Sequence, residues 1–186
     1  METGIVSLRY VKALLTYAVT HNQGNAVYEE MKSLMLSYRI QPKIWQVLES
    51  PVVSKKEKLA LLYTAAAGRE MPSDAYQRFM NLILKNKRES YLPLIALSYM
   101  GLFRKHNNIG VSRLITAVPI SEEKRKSIQR ISGRVLHTKM EMEVAVDPAI
   151  VGGFVFEVNG YRLDASIASQ LKQMRQQFID KNKRII

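Results

Sequence analysis

The chain has no cysteine, one tryptophan and three histidines. The missing cysteine excludes disulfides, thiolate metal sites and cysteine nucleophiles. His21, His106 and His137 fall in separate predicted elements and leave little scope for a histidine metal site. No run approaches the roughly 20 apolar residues that a membrane helix needs. Met1 to Leu8 lacks the basic start and apolar core of a signal peptide, and it is not Arg- or Ser-rich like a transit peptide. The expectation is therefore a soluble intracellular protein without a cleaved address. Acidic residues are scarce too, 16 against 28 Lys and Arg, which leaves a net charge of +12.

What is present is a globular composition, 47% hydrophobic and 24% charged over 186 residues. The basic excess is spread along the chain rather than held in a tail. It gathers at Lys55-Lys56-Glu57-Lys58, Lys85-Asn86-Lys87-Arg88, Lys124-Arg125-Lys126 and Lys181-Asn182-Lys183-Arg184. Each cluster lies near a predicted helix end. There a cation is ordinarily a solvated surface charge, and a functional anion-facing patch is the sharper alternative.

Periodicity divides the chain. The first half reads as six helices: about Ser7 to His21, Asn25 to Arg39, Pro42 to Glu49, a fourth capped by Ser54 and stopped at Gly68, a fifth opened by Pro72 and Ser73 and reaching about Asn86, and a sixth from near Ser90 to His106 with Pro93 in its first turn. Short connections predict an antiparallel bundle. The second half changes period. Val111 to Val118 is β-rich, and Ser121 caps a helix whose apolar face is Ile128, Ile131 and Val135. Met140, Met142, Val144 and Val146 alternate as one face of a strand. Asn159-Gly160 joins Phe154 to Val158 with Tyr161 to Leu163 as a hairpin. Asp164 is expected to cap a last helix with a core stripe of Ile167, Leu171, Met174 and Phe178. The fold class expected is α+β in two domains: a six-helix antiparallel bundle over residues 1–106, a hinge at about 105–111, and a small α/β domain over 111–186 with a β-hairpin and a C-terminal helix.

Motifs that carry chemistry are mostly missing. There is no P-loop and no H-E-x-x-H. Gly152-Gly153 precedes a strand, so it reads as a bend or close backbone approach rather than a phosphate cradle. Asp147, before Pro148, reads as a turn former, and Ser166 near Asp164 has no histidine base in its sequence context. No catalytic residue, cofactor-binding residue or metal ligand is assigned. The nine tyrosines do not interleave with one basic strip, and no RNA-binding motif occurs. Trp45 reads as a core anchor on a short apolar helix.

The first helix carries the most information. At 100° per residue, Leu8, Val11, Leu15, Ala18 and Val19 form one stripe, and Tyr10, Ala13, Leu14 and Tyr17 form a second on the opposite side. The fifth helix is apolar over about 200° by the same geometry. Its flank of Ala75, Phe79 and Leu82 can join the tyrosine stripe in an apolar groove that receives a partner helix. The competing reading is that both helices are buried all round in the bundle.

Several motifs resemble those of the delta subunit of F-type ATP synthases, the family that includes the mitochondrial oligomycin-sensitivity-conferring protein. Arg9-Tyr10-Val11-Lys12-Ala13-Leu14 is similar to its R-Y-A-x-A-L. Leu48-Glu49-Ser50-Pro51 with Lys55 to Lys58 resembles its L-x-x-P and lysine segment, and Asn86 and Arg88 its fifth-helix ending. Thr116-Ala117-Val118-Pro119-Ile120-Ser121 resembles the joint that opens its second domain. Val146-Asp147-Pro148-Ala149-Ile150-Val151-Gly152-Gly153 resembles V-D-P-x-[LI]-x-G-G. Leu163 to Leu171, with Asp164 and Ser166, is similar to I-D-G-S-V-x-x-Q-L, although Ala165 stands where the family usually has glycine.

The resemblance implies a non-catalytic stator subunit without cofactor or metal. It would be present once per complex at the cytoplasmic face of the bacterial inner membrane, with no membrane span of its own. Its helical domain would take the N-terminal helices of the alpha subunits in the groove of Tyr10, Ala13, Leu14, Tyr17, Ala75, Phe79 and Leu82, and its second domain would bind the b subunits. Asp147, Pro148, Gly152, Gly153, Asp164 and Ser166 would be structural. The alternative reading is a basic nucleic-acid-associated protein, resting on charge alone. A small hydrolase built on residues 147–166 is a third.

Overall fold

The computed structural model describes residues 2–136, 139–158 and 160–183. The chain divides into two units, Met1–Asn107 and Asn108–Ile186. The first holds six helices: α1 (Glu2–Thr20), α2 (Gly24–Ile40), α3 (Lys43–Glu49), α4 (Lys55–Ala67), α5 (Asp74–Lys85) and α6 (Leu92–His106). Their ends follow local chemistry. Ser54 and Glu57 form a reciprocal capping box at α4, which stops at Gly68 with φ +67°. A single 3₁₀ turn, Glu89–Tyr91, leads into α6, where Pro93 occupies the first turn.

The bundle core is fully buried Val27, Met31, Leu34, Leu48, Leu62, Met80, Ile83, Leu92 and Ile95, with Tyr76 and Tyr99 among them. The two tyrosines bury their rings and keep a partner for each hydroxyl. Tyr76 donates to the Leu62 carbonyl at 3.2 Å and Tyr99 to the Gly24 carbonyl at 3.3 Å. Trp45 is half-buried, edge-on to Tyr38; the deep anchor of α3 is Leu48. The entry of α5 is fixed from α2. Glu30 accepts from the Ser73 amide and, at 2.7 Å, from its hydroxyl, and Gln23 accepts from the Ala75 amide at 2.8 Å.

The second unit is a four-stranded sheet in the order β2-β1-β3-β4, with two helices. β1 (Ile109–Thr116) runs parallel to β2 (Lys139–Val146) through the crossover helix α7 (Glu122–Leu136), and antiparallel to β3 (Phe154–Val158). β3 pairs antiparallel with β4 (Tyr161–Asp164), Val158 opposite Tyr161. Gly160 has φ +84°. The Asn159 half of the expected hairpin turn lies outside the described residues, as does His137. β1 ends at Thr116, short of the expected Val118. The Thr116 hydroxyl donates to the Val118 carbonyl at 2.8 Å, and the Asp147 amide takes the Thr116 carbonyl. That turns the chain out of the ladder before Pro119.

Two expectations fail in this unit. The stripe Ile167, Leu171, Met174 and Phe178 of α8 (Ile167–Lys183) is exposed, up to 69% at Phe178, and forms no core. On α7, Ile128 is half-buried, but Ile131 and Val135 face solvent. The cause is coverage. α7 lies along the β2 side of the sheet, and α8 touches mainly the turn before β3. A periodic stripe therefore has no opposing surface within the unit.

Candidate functional site

The seven residues expected to form a groove do surround one cleft of about 220 Å³, together with Arg78. α1 supplies Tyr10, Ala13, Leu14 and Tyr17, and α5 supplies Ala75, Arg78, Phe79 and Leu82. The helices run in opposite senses there. Near one end, the Tyr10 ring meets Phe79 edge-on at 6.4 Å, and its hydroxyl accepts from Asn86 at 3.0 Å. At the other, the Tyr17 hydroxyl donates to Asp74 at 3.4 Å, and its ring stacks on His21 at 4.1 Å. The tyrosine hydroxyls are thus engaged by neighbouring side chains. Each helix spans the cleft over seven residue steps, roughly 10 Å or two helical turns.

The two apolar stripes of α1 are not opposed. Val11, Leu14 and Ala18 form one buried seam, with Ser7 beside them. Tyr10, Ala13 and Tyr17 flank it on one side, while Leu8 and Val19 are exposed on the other. The cleft residues also divide. Leu14, Ala75 and Phe79 are its buried floor, with Phe79 only 6% exposed; Leu82, at 44%, is rim. Phe79 therefore belongs to the core as well as the cleft. Sequence reasoning missed Arg78, because a charged residue is discounted when an apolar stripe is traced. Its signal was position, three after Ala75 and four before Leu82 on the same flank, and four after Asp74, which it pairs with at 2.7 Å.

Two of the lysine clusters converge. Lys55, Lys58 and Lys87 line a polar cleft that also contains Glu49 and Glu89. Lys58, 8% exposed, pairs with Glu89 at 3.3 Å. Mixed charge of this kind is a poor track for a phosphodiester backbone. In the third cluster, Arg125 pairs with Glu122 and donates to the Met142 carbonyl on β2.

In the second unit, the motif residues build a turn. Asp147 accepts from the Ala149 amide at 3.0 Å, and Pro148 opens the single 3₁₀ turn Pro148–Ile150. Val151 follows at φ +65°, with the Gly152 amide on the Ile150 carbonyl at 2.7 Å, a tight three-residue turn. Gly153 has φ +73°, and a Cβ there would lie 2.2 Å from the Ala165 carbonyl oxygen. At Gly152 a Cβ would meet the tip of Ile167 at 2.6 Å. The N-cap of α8 is Ser166 rather than Asp164: the Ser166 hydroxyl accepts from the Ser169 amide at 3.2 Å. Asp164 braces the cap, accepting from the Ser166 amide and the Ser169 hydroxyl; the Ser166 side chain, its amide and Ser169 together hold the Asp164 carboxyl below its usual range. Ala165 is absent from the positive-φ positions, so it carries no strain where glycine is usual. No group of acids and histidines suited to a metal ion occurs among the described residues, and no described helix is long and apolar enough to cross a membrane.

The fold defines an α+β protein whose helical unit presents an apolar cleft about two helical turns long and whose second unit is organised around a glycine turn. The family model for the ATP synthase delta (OSCP) subunit matches residues 6–178, and the chain belongs to that family. The ATP synthase subunit delta of Bacteroides thetaiotaomicron is 49% identical over 186 residues, the whole of both chains. That of Lactobacillus acidophilus is 31% identical over 178 residues, 95% of this chain and 96% of the other. A chain in the cryo-EM structure of the Toxoplasma gondii mitochondrial ATP synthase hexamer shares the fold, with a TM-score of 0.65 at 19% identity, over 96% of this chain and 98% of that one.

Proposed function

We propose that this chain is the non-catalytic stator subunit that ties the catalytic head of an F-type ATP synthase to its peripheral stalk. The cleft between α1 and α5 takes an N-terminal helix of an alpha subunit. The second unit takes the end of the b subunits, for which the exposed stripe of α8 offers an apolar surface. The subunit works once per complex at the cytoplasmic face of the bacterial inner membrane, holding the head against the torque of the rotor.

The cleft carries this reading. An apolar floor of Leu14, Ala75 and Phe79 between engaged tyrosines suits the anchors of an amphipathic helix. Membership of the ATP synthase delta (OSCP) family supports it independently. The nucleic-acid alternative retains only the net charge in its favour.

Calorimetry with a synthetic peptide of the alpha subunit's N-terminal helix from the same organism tests the reading. Binding that changes little between low and high salt is the expected result, since apolar burial drives it. Leu82→Asp should weaken that binding by about tenfold or more while the bundle stays folded, because the side chain is on the rim. Absence of binding to the unaltered subunit would remove the alpha helix from this cleft.

A further inference from the structure

Among the described residues that line the cleft, Arg78 is the one charged residue. Its Nε donates to Asp74 at 2.7 Å, and Asp74 also accepts from Tyr17. The side chain is 69% exposed, so water serves the rest of the guanidinium while the cleft is empty. A guanidinium has five N–H donors in a planar fork, and the Asp74 contact uses one edge. A helix laid into the cleft displaces some of that water. If the helix were wholly apolar at this point, charged donors would be left without acceptors, an arrangement that weakens association rather than strengthening it.

From this we infer that Arg78 sets which helix the cleft accepts. The occupant carries a carboxylate beside its apolar stripe, and that carboxylate closes on the open edge of the Arg78 fork. Asp74 is the positioning residue: it holds Nε and so directs the remaining N–H groups. A forked donor opposite one carboxylate favours a two-bond pairing that a lysine does not reproduce. Arg78 stands along α5 between Ala75 and Leu82, so the carboxylate belongs beside a central anchor of the two-turn stripe. An apolar stripe alone fixes how a helix lies against the cleft. A single charge beside it fixes its register as well.

The inference rests on the proposed helix-binding role of the cleft, and its test separates the two. The probe is the same synthetic alpha-subunit peptide, with each Asp and Glu changed in turn to its amide, measured by calorimetry against the full-length subunit and its Arg78→Gln and Arg78→Lys variants. One peptide position should lose about three- to fivefold in affinity, the range of a partly exposed ion pair. Arg78→Gln should lose a similar factor, and the two changes together no more than either alone. Arg78→Lys should recover only part. If the peptide binds and no acidic position couples to Arg78, the inference is overturned and the docking role stands. If the unaltered peptide does not bind at all, both fall. Arg78→Gln is expected to fold normally, since its side chain is exposed, and an unchanged circular dichroism melt checks this.

Discussion

The helical unit and the α/β unit treat their apolar stripes in opposite ways. In the first, α6 packs on α1 and α2, α4 on α2 and α5 on α4 and α1, and the core contains three tyrosines with partnered hydroxyls, Tyr28, Tyr76 and Tyr99. In the second, the buried apolar side chains among the described residues are Leu114, Met140, Met142 and Val155, all on the sheet. The stripe of α8 faces water along its length. Both units have amphipathic helices of similar length, so the contrast comes from coverage. Six helices in a bundle supply neighbours on several sides of each member, whereas a single sheet with one covering helix leaves the next helix without a surface. The exposed stripe of α8 is the surface on which the proposed docking of the b subunits rests.

The largest expected effect that would sharpen this contrast is at the glycine turn. Gly153→Val sets a branched side chain at φ +73° against a backbone carbonyl that cannot move aside. It should destabilise the second unit by about 3–5 kcal/mol. Hydrogen exchange should then show protection lost from β1–β4 and retained in α1–α6. Loss in both units would mean that they fold as one.

Truncations probe coverage directly. Leu34→Ala, in the bundle core, should cost about 2–5 kcal/mol. Leu171→Ala, on the exposed stripe, should change the free subunit by no more than about 0.5 kcal/mol. Equal costs by denaturant titration would break the comparison, because α8 would then have a core of its own.

Smaller effects are expected at the caps. Ser54→Ala removes the capping box of α4 and should cost about 1 kcal/mol. Acid probes the same feature in both units. The Ser54 hydroxyl and amide hold the Glu57 carboxyl below its usual range, and Asp164 is lowered by its bonds to Ser166 and Ser169. Both folded pKa values lie below the unfolded ones. Their stabilisation is therefore complete above the ordinary carboxylate range near ~4, and is lost as pH falls through the folded values. α8 has few tertiary contacts beyond its cap, so its first turn should fray on acidification before α4 does. Amide chemical shifts of Ser169 and Glu57 followed through an acid titration would report the order, and α4 fraying first would contradict it.

Much of the molecule is legible in its sequence. Caps and stops carry local chemistry, so Ser54, Gly68, Ser73 and Pro93 marked helix ends to within a few residues. Gly153 was legible as a backbone necessity. The seven cleft residues were legible from angular spacing, because two helices with surplus apolar arcs must bury them on something. Less visible was the division of the cleft into floor and rim, which moved Phe79 into the core. Arg78 was passed over because hydropathy patterns rank residues singly. The cap of α8 fell on Ser166, two residues beyond the expected Asp164, because both side chains are able acceptors and only the backbone path chooses between them.

By itself, the sequence determined the order of the helices and strands and their approximate ends, which faces are apolar, and that one turn needs glycine. These are properties of a residue and its near neighbours along the chain. Only the tertiary structure decided which apolar faces are covered. A stripe records that burial is favourable, but burial needs an opposing surface, and that surface is supplied by residues distant in sequence. The same reasoning separates the buried seam of α1 from its cleft flank, and the enclosed stripes of the bundle from the open stripe of α8.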